Sequence, residues 1–531
     1  MKLHWLGRLS VVVSLWLTLG TAHALTTAEA LTLAAGESDE RIAMLNRLAA
    51  AGDEKGLALI QALSNDAVKV QGEQVLVVAG DGSVTDAVSG AAVTVSETAE
   101  DAVVNNRMRT AIETALATRD LFGSDATLQR EAAVLLQKAA FDDPDASQLP
   151  LVEKALAGEL DARTRLLLEQ ARAAMQLASE DEAQRLAAAQ TLGGMGDPAL
   201  RPLLAAQLEA EASPEVKSAL SAALASLDRS LAVASGLSQA FTGLSLGSIL
   251  LLAALGLAIT YGLMGVINMA HGELIMIGAY ATWLVQAFFR NSLPALFDWY
   301  LLAALPVAFL ASALVGATME RTVIRFLYGR PLETLLATWG ISLVLMQGVR
   351  SLFGAQNVGV ENPAWMSGSV TLLGSLTLPW NRIFIIAFAV AVLAGVTLLI
   401  NRTRLGLFVR GVTQNRPIAS CMGVNTARID TYAFALGSGI AGLAGCALSQ
   451  IGNVGPDLGQ SYIVDSFMVV VLGGVGQLAG TVYAALGLGL FNKFLEGWAG
   501  AVLAKIAVLV FIIVFIQKRP QGIFAFKGRE T

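Results

Sequence analysis

The sequence predicts an all-α chain: a polytopic transmembrane helix bundle of about eight or nine spans, preceded by a soluble helical domain. Three observations carry this. Of 531 residues 55% are hydrophobic and only 15% charged, against roughly 25% charged in ordinary soluble domains. The charge is split along the chain, because residues 25–236 hold 32 acidic and 17 basic side chains and residues 237–531 hold 10 and 17. Long apolar stretches occur in the second part and are absent from the first.

The first 24 residues read as a signal peptide. Lys2 and Arg8 supply a positive start, and residues 9–20 form an apolar core. That core is shorter than the roughly 20 residues a span needs. Ala22-His23-Ala24 gives a small-x-small cleavage pattern. An uncleaved anchor is the alternative. Either way residues 25–236 are expected outside the cytoplasm. Cys421 and Cys446 are the only cysteines, so this domain must hold together without a disulfide.

Within residues 25–236, Ala and Leu recur at three- and four-residue spacing over 42–50, 108–118, 131–140, 163–177, 182–192 and 216–227, which predicts helices. A basic residue precedes several of these stripes: Arg130, Arg165, Arg185 and Lys217. Turn signals such as Asp143-Pro144 and Ser213-Pro214 separate them. The pattern predicts HEAT-like helical pairs that bury their apolar faces by stacking, with a plain bundle as the alternative. Residues 75–79 and 93–95, with Asp81-Gly82 between, suggest a β-hairpin-like insertion.

From residue 237 onward, nine apolar stretches run between 244–266 and 502–516, two of them short (467–478 and 482–491). Basic residues gather at Arg321/Arg325/Arg330, at Arg402/Arg404/Arg410/Arg416/Arg428, and at Lys518/Arg519/Lys527/Arg529. Such clusters mark cytoplasmic loops. An outside N-terminus and an inside C-terminus require an odd number of crossings, which nine satisfies.

Two segments carry candidate chemistry. Asn268, His271 and Glu273 interrupt an apolar run, with Gly272 between the last two. Polar groups in hydrocarbon must be paired or face a wet cavity. A helix broken at Gly272 would expose backbone groups to a polar solute. The trio would then line the path or its gate; holding helices together is the equal alternative. The second segment, 403–425, lies between two spans on the basic side and includes Gln414, Asn415, Arg416, Pro417, Ala419 and Gly423. Pro417 suits a first helical turn and Gly423 a stop. A helix that short needs a partner to be stable, and an ATPase groove would provide one; an ordinary loop is the alternative.

A G-x-G-x-x-A string starting at Gly474 imitates a dinucleotide fingerprint, but no βαβ unit fits between two membrane-like segments. Small residues there suit close helix packing. There is no phosphate-binding G-x-x-x-x-G-K-[ST] string and no cysteine cluster, and His271 is the only histidine after the leader. No catalytic residue, metal site or cofactor is therefore expected in this chain, and no basic groove suggests nucleic acid. A membrane sensor would need a cytoplasmic signalling domain, and a membrane hydrolase a nucleophile–base pair; neither is legible.

Residues 268–273, 403–425, the Val471-Leu-Gly-Gly-Val-Gly string and the closing Arg519-Pro-Gln-Gly-Ile-Phe524 together resemble the branched-chain amino-acid ABC permease family, over roughly 240–530. Within it, Val266-Ile-Asn-Met-Ala-His-Gly-Glu273, the stretch 329–342 and the long N-terminal domain look like the urea permease branch. The resemblance implies an inner-membrane importer with a second permease subunit, two cytoplasmic ATPase subunits that take up ATP and magnesium, and a periplasmic substrate-binding protein. Surrounding lipid is the remaining partner. Urea is the implied substrate, with branched-chain amino acids or short amides as the alternative.

Overall fold

The structure, a computed structural model, describes residues 25–51, 54–80, 82–96, 99–123, 125–372 and 376–524. The leader expected over residues 1–24 lies outside the described residues. The chain forms two compact units that divide between Leu231 and Ala232.

The first unit opens with helices α1 (Thr27–Ala35), α2 (Ser38–Ala51) and α3 (Glu54–Ser64). Thr26 and Glu29 form a capping box at the start of α1, each side chain accepting from the other's backbone N–H. Strands β1 (Val68–Gln71), β2 (Gln74–Val78), β3 (Val84–Asp86) and β4 (Glu100–Asp101) follow, as one antiparallel sheet of order β3-β2-β1-β4. The hairpin expected between 75–79 and 93–95 is therefore corrected. Strand β2 pairs with β1 through a turn in which Gly72 has φ 63°, and Val93 reaches only the Val84 carbonyl. The short turn costs less closure entropy, and it puts Val68 and Val75 together in the core.

Helices α4 (Asn106–Leu121), α5 (Ala126–Asp142), α6 (Leu149–Leu156), α7 (Ala162–Gln176), α8 (Glu182–Gly193) and α9 (Leu200–Ala210) complete the unit. From α4 onward they share a core that includes Leu136, Leu168, Leu192 and Leu204. A local device recurs. Asp125, Asp161 and Asp181 each cap a helix by accepting from its first N–H groups. Four residues on, Gln129, Arg165 and Arg185 reach back to carbonyls of the preceding connection: Gly123, Leu156 with Gly158, and Ser179 with Glu180. One side chain satisfies orphan donors of its own helix and the other satisfies acceptors just before it. Two of the basic residues ahead of the Ala/Leu stripes, Arg165 and Arg185, thus have a structural task.

Arg185 also grips Glu211 with two bonds of 2.9 and 3.1 Å. The backbone N–H groups of Ala212 and Ser213 donate to the same carboxylate. The Arg185 hydrogen bond leads in holding the Glu211 carboxyl down at about 2.

The long α10 (Pro214–Met264) is followed in the second unit by α11 (His271–Ser292), α12 (Tyr300–Thr322), α13 (Pro331–Phe353) and α14 (Trp380–Arg402). Then come α15 (Arg404–Gln414), α16 (Arg416–Cys421), α17 (Thr426–Ser449), α18 (Leu458–Gly473), α19 (Leu478–Ala499) and α20 (Ala501–Lys518). Among the described residues, eight of these are long and apolar enough to cross a membrane, and α18 is a shorter apolar helix. The short stretches expected at 467–478 and 482–491 become α18 and α19, because Gly474 (φ 100°) and Gly476 (φ 82°) turn the chain between them. A small hairpin, β5 (Ser369–Leu372) with β6 (Leu376–Pro379), precedes α14.

The apolar windows of α10, α11 and α17 are mostly buried, while few residues in those of α13, α14 and α20 are. Small residues let the inner helices approach: a Cβ on Gly278 of α11 would stand 2.2 Å from the Gly442 carbonyl oxygen of α17. Between membrane helices, van der Waals packing of this kind replaces the hydrophobic effect as the associating force.

Candidate translocation site and coupling segment

Helix α10 ends at Met264, and Gly265 turns the chain with φ 65°. Residues 265–270 are non-helical, and α11 starts at His271. This corrects the break expected at Gly272, which is helical and sits in the first turn of α11. The left-handed backbone falls at Gly265, and Asn268 fixes the restart by accepting the Ala270 N–H at 3.1 Å. Gly272 serves a close contact instead. A Cβ there would lie 2.5 Å from the Gly459 carbonyl oxygen, and one on Gly459 would lie 2.2 Å from the Gly272 carbonyl oxygen. The N-terminal turns of α11 and α18 thus meet backbone to backbone.

Asn268, His271 and Glu273 are all buried, at no more than 1% exposure, yet they point to different neighbours. His271 Nε2 lies 2.9 Å from the Ala253 carbonyl of α10. Because a carbonyl only accepts, that nitrogen carries the proton, and Nδ1 is an acceptor without a partner among the described residues. Glu273 turns to α13, where the Ser342 hydroxyl donates to its Oε1 at 2.5 Å. Its Oε2 has no hydrogen-bond partner among the described residues and lies against Gly459. Residues two apart on a helix point about 200° from each other, so the divergence follows from α11 being intact through Gly272.

Asn268 Nδ2 is also without a partner among the described residues. Asn268 lines a cavity of about 120 Å³ between α10 and α18, otherwise walled by Leu257, Tyr261, Ile267, Met269, Ile463, Val464 and Phe467. Of the trio, only Asn268 reaches this space.

The partners on α13 are a second set of site residues. Thr334, Thr338 and Ser342 are buried, and Thr338 Oγ1 accepts the Met269 N–H at 3.2 Å. Their four-residue spacing puts them on one helix face. That stripe is visible in the sequence as hydroxyls recurring through an apolar run, and the reading above did not use it.

The segment 403–425 holds two helices. Thr403 caps α15 and Asn415 caps α16 through their side-chain oxygens. Pro417 sits in the first turn of α16, and Gly423 follows it with φ 85°. Gln414 ends α15, and with Asn415 and Pro417 it is exposed. Arg416 and Ala419 turn inward. Arg416 pairs with the buried Asp430 of α17, and Ala419 joins a small core with Val409, Val412, Ile429 and Ala433. The outward apolar side chains are Leu407, Phe408, Ile418 and Met422, the last 80% exposed. Sequence reading found the short helix and missed α15 and the inward turn of Arg416, which depends on Asp430.

Two further stretches also come together. The N–H groups of Ile523 and Phe524 donate to the carbonyls of Leu472 and Gly473. This seats the C-terminal Arg-Pro-Gln-Gly-Ile-Phe segment on the glycine-rich turn after α18.

Residues 239–517 match the family described as the branched-chain amino acid transport system permease component. The permease protein LivH of the high-affinity branched-chain amino acid transport system from Salmonella typhimurium is 30% identical over 296 residues, covering 54% of this chain and 94% of that protein. BraD from Pseudomonas aeruginosa is 28% identical over 297 residues, covering 54% and 95%. A probable LivH from Methanocaldococcus jannaschii is 25% identical over 295 residues, covering 52% and 88%. No solved structure matches the chain. With more than half of its length matched and its apolar helices arranged as described, the chain belongs to the branched-chain amino acid permease family and is a multi-pass inner-membrane permease component of an ABC-type transporter.

Proposed function

We propose that this chain forms half of the translocation path of an ATP-driven importer for urea. One observation carries the reading: the two stretches that resemble the urea branch, 266–273 and 329–342, meet at the helix break. They join through the Met269–Thr338 and Ser342–Glu273 hydrogen bonds. Urea is neutral, with four N–H donors and one carbonyl acceptor. Amide, hydroxyl and carboxyl groups suit it, and it needs no fixed counter-charge.

Branched-chain amino acids are the second reading. The cavity beside Asn268 is almost wholly apolar, which suits an aliphatic side chain. The adjoining N-termini of α11 and α18 would favour a carboxylate. The relatives LivH and BraD are named for such transport.

In this reading residues 25–236 stand in the periplasm, opposite the basic loops. Nine crossings, with α18 among them, then satisfy the parity. The outward face of α15 and α16 docks a cytoplasmic ATPase. A second permease subunit covers part of the exposed helix faces, lipid covers the rest, and a periplasmic binding protein delivers the substrate. Uptake of labelled urea and labelled leucine in a strain with the gene deleted separates the two substrates. Loss of urea uptake with leucine uptake intact is expected. Loss of leucine uptake alone would replace urea with the second reading.

A further inference from the structure

A cluster at the ends of α12 and α17 joins the coupling segment to the helix break. Arg416 of α16 pairs with Asp430 and lays its guanidinium carbon 4.9 Å from the centroid of the Tyr328 ring. The Tyr328 hydroxyl donates to Glu320 Oε1 at 3.2 Å and lies 3.7 Å from the sulfur of Met264. Met264 is the last residue of α10, immediately before the turn at Gly265. Glu320 is fully buried. It also accepts from Thr431 Oγ1 at 2.6 Å and sits 3.6 Å from Arg325. Thr431 follows Asp430 in the first turns of α17.

We infer that Tyr328 is a positioning residue that transmits the placement of the coupling helix to the break at 265–270. Each side of the ring has its own link. The face meets Arg416, whose planar guanidinium stacks on aromatic rings as an ammonium does not. The hydroxyl meets Glu320 and the end of α10. Asp430 and Glu320 hold the charges on α17 and α12, so a displacement of α16 pulls on both helices and on the hinge through one side chain. Contiguous packed and hydrogen-bonded groups of this kind can carry coupling between sites.

The inference rests on the reading that α15 and α16 dock an ATPase, and the test separates the two. The full complex is isolated with its ATPases and reconstituted in vesicles. Substrate-stimulated ATP hydrolysis and uptake are then measured on the same preparation. Tyr328→Phe keeps the ring and removes the hydroxyl. Arg416→Lys keeps the charge opposite Asp430 and removes the planar stack. Each is expected to leave assembly and ATP hydrolysis near wild type and to lower uptake per ATP by roughly three- to tenfold. The double variant should be little worse than either single one, because both cut the same chain. Unchanged uptake per ATP in both singles overturns the inference. So does a loss of uptake that merely follows a loss of assembled complex, which is what a packing role predicts. Met422→Glu tests the docking reading by itself: if the ATPases stay bound and coupled in that variant, docking at this face fails whatever Tyr328 does.

Discussion

The Ser342 hydroxyl donates to Glu273 Oε1 at 2.5 Å, across 69 positions of sequence and inside the helix bundle. Both side chains are almost fully buried. A hydroxyl lost from a buried acceptor leaves a desolvation cost of about 1–3 kcal/mol. Ser342→Ala leaves that acceptor unpaired, and Glu273→Gln keeps an acceptor but removes the acid. If Glu273 serves the path, each is expected to lower uptake per assembled complex severalfold while the complex still reaches the membrane. Wild-type uptake per complex in both would show that Glu273 serves only to hold α11 to α13.

The crossing of Gly272 and Gly459 has no room for a methyl group, since each Cβ would lie within 2.5 Å of the opposite carbonyl oxygen. Overpacking of this kind costs about 1–3 kcal/mol. Gly459→Ala should lower the thermal midpoint of the purified chain and its yield from membranes. Gly452→Ala, at a position with open space around its Cβ, should do neither. Equal melting of the two variants would contradict the tight crossing.

Ile418 and Met422 point outward from α16, while Arg416 and Ala419 point inward. Ile418→Glu and Met422→Glu should therefore release the ATPases without loss of membrane insertion, measured by co-purification against an affinity tag on this chain. Ala419→Glu buries a charge in the small core behind α16 and should instead lower the level of the chain itself. Matching phenotypes for the outward and inward variants would count against a docking face.

The Arg185–Glu211 pair predicts a pH dependence in the first unit. Glu211 is held down at about 2 from an ordinary value of 4.5, chiefly by the Arg185 hydrogen bond. A depressed carboxyl contributes fully above its unfolded value and loses that contribution as pH falls through the folded one. The advantage of the natural chain over Glu211→Gln should be constant above about 4.5 and shrink toward pH 2. Resistance of the segment around Ser213 to an acid-active protease measures it. A difference that does not change between pH 6 and pH 2.5 would refute the assignment.

Much of this architecture is readable from local pattern. The expected helices at 108–118, 131–140, 182–192 and 216–227 fall inside observed ones and that at 163–177 overruns α7 by one residue, because Ala/Leu stripes report a buried face wherever the chain goes. Pro417 and Gly423 also sit where their backbone preferences put them, at the first turn and just past the end of α16. Helices α1, α3, α6 and α9 were not anticipated; each has eleven residues or fewer, which leaves the helical period few turns in which to show. The hairpin at 75–79 was mispaired because its partner is the nearer strand 68–71, a short run with little apolar pattern of its own, joined by the tight turn at Gly72. The trio at the break was found by its polarity, yet the partners Ala253 of His271 and Ser342 of Glu273 come from other helices.

Charge partition, apolar run length and turn residues are properties of neighbouring positions, so the order of residues establishes the acidic first unit, the membrane helices and the short helix at Pro417. The place of the helix break required the folded chain. Gly265 and Gly272 are equally able to bend a backbone, but the left-handed turn falls at Gly265, while Gly272 stays helical and makes the close approach to Gly459. The direction of Arg416 likewise followed from Asp430, which waits one helix later with a buried carboxylate. Contacts between segments far apart in sequence leave no periodic trace, because each side is chosen by what packing brings opposite it.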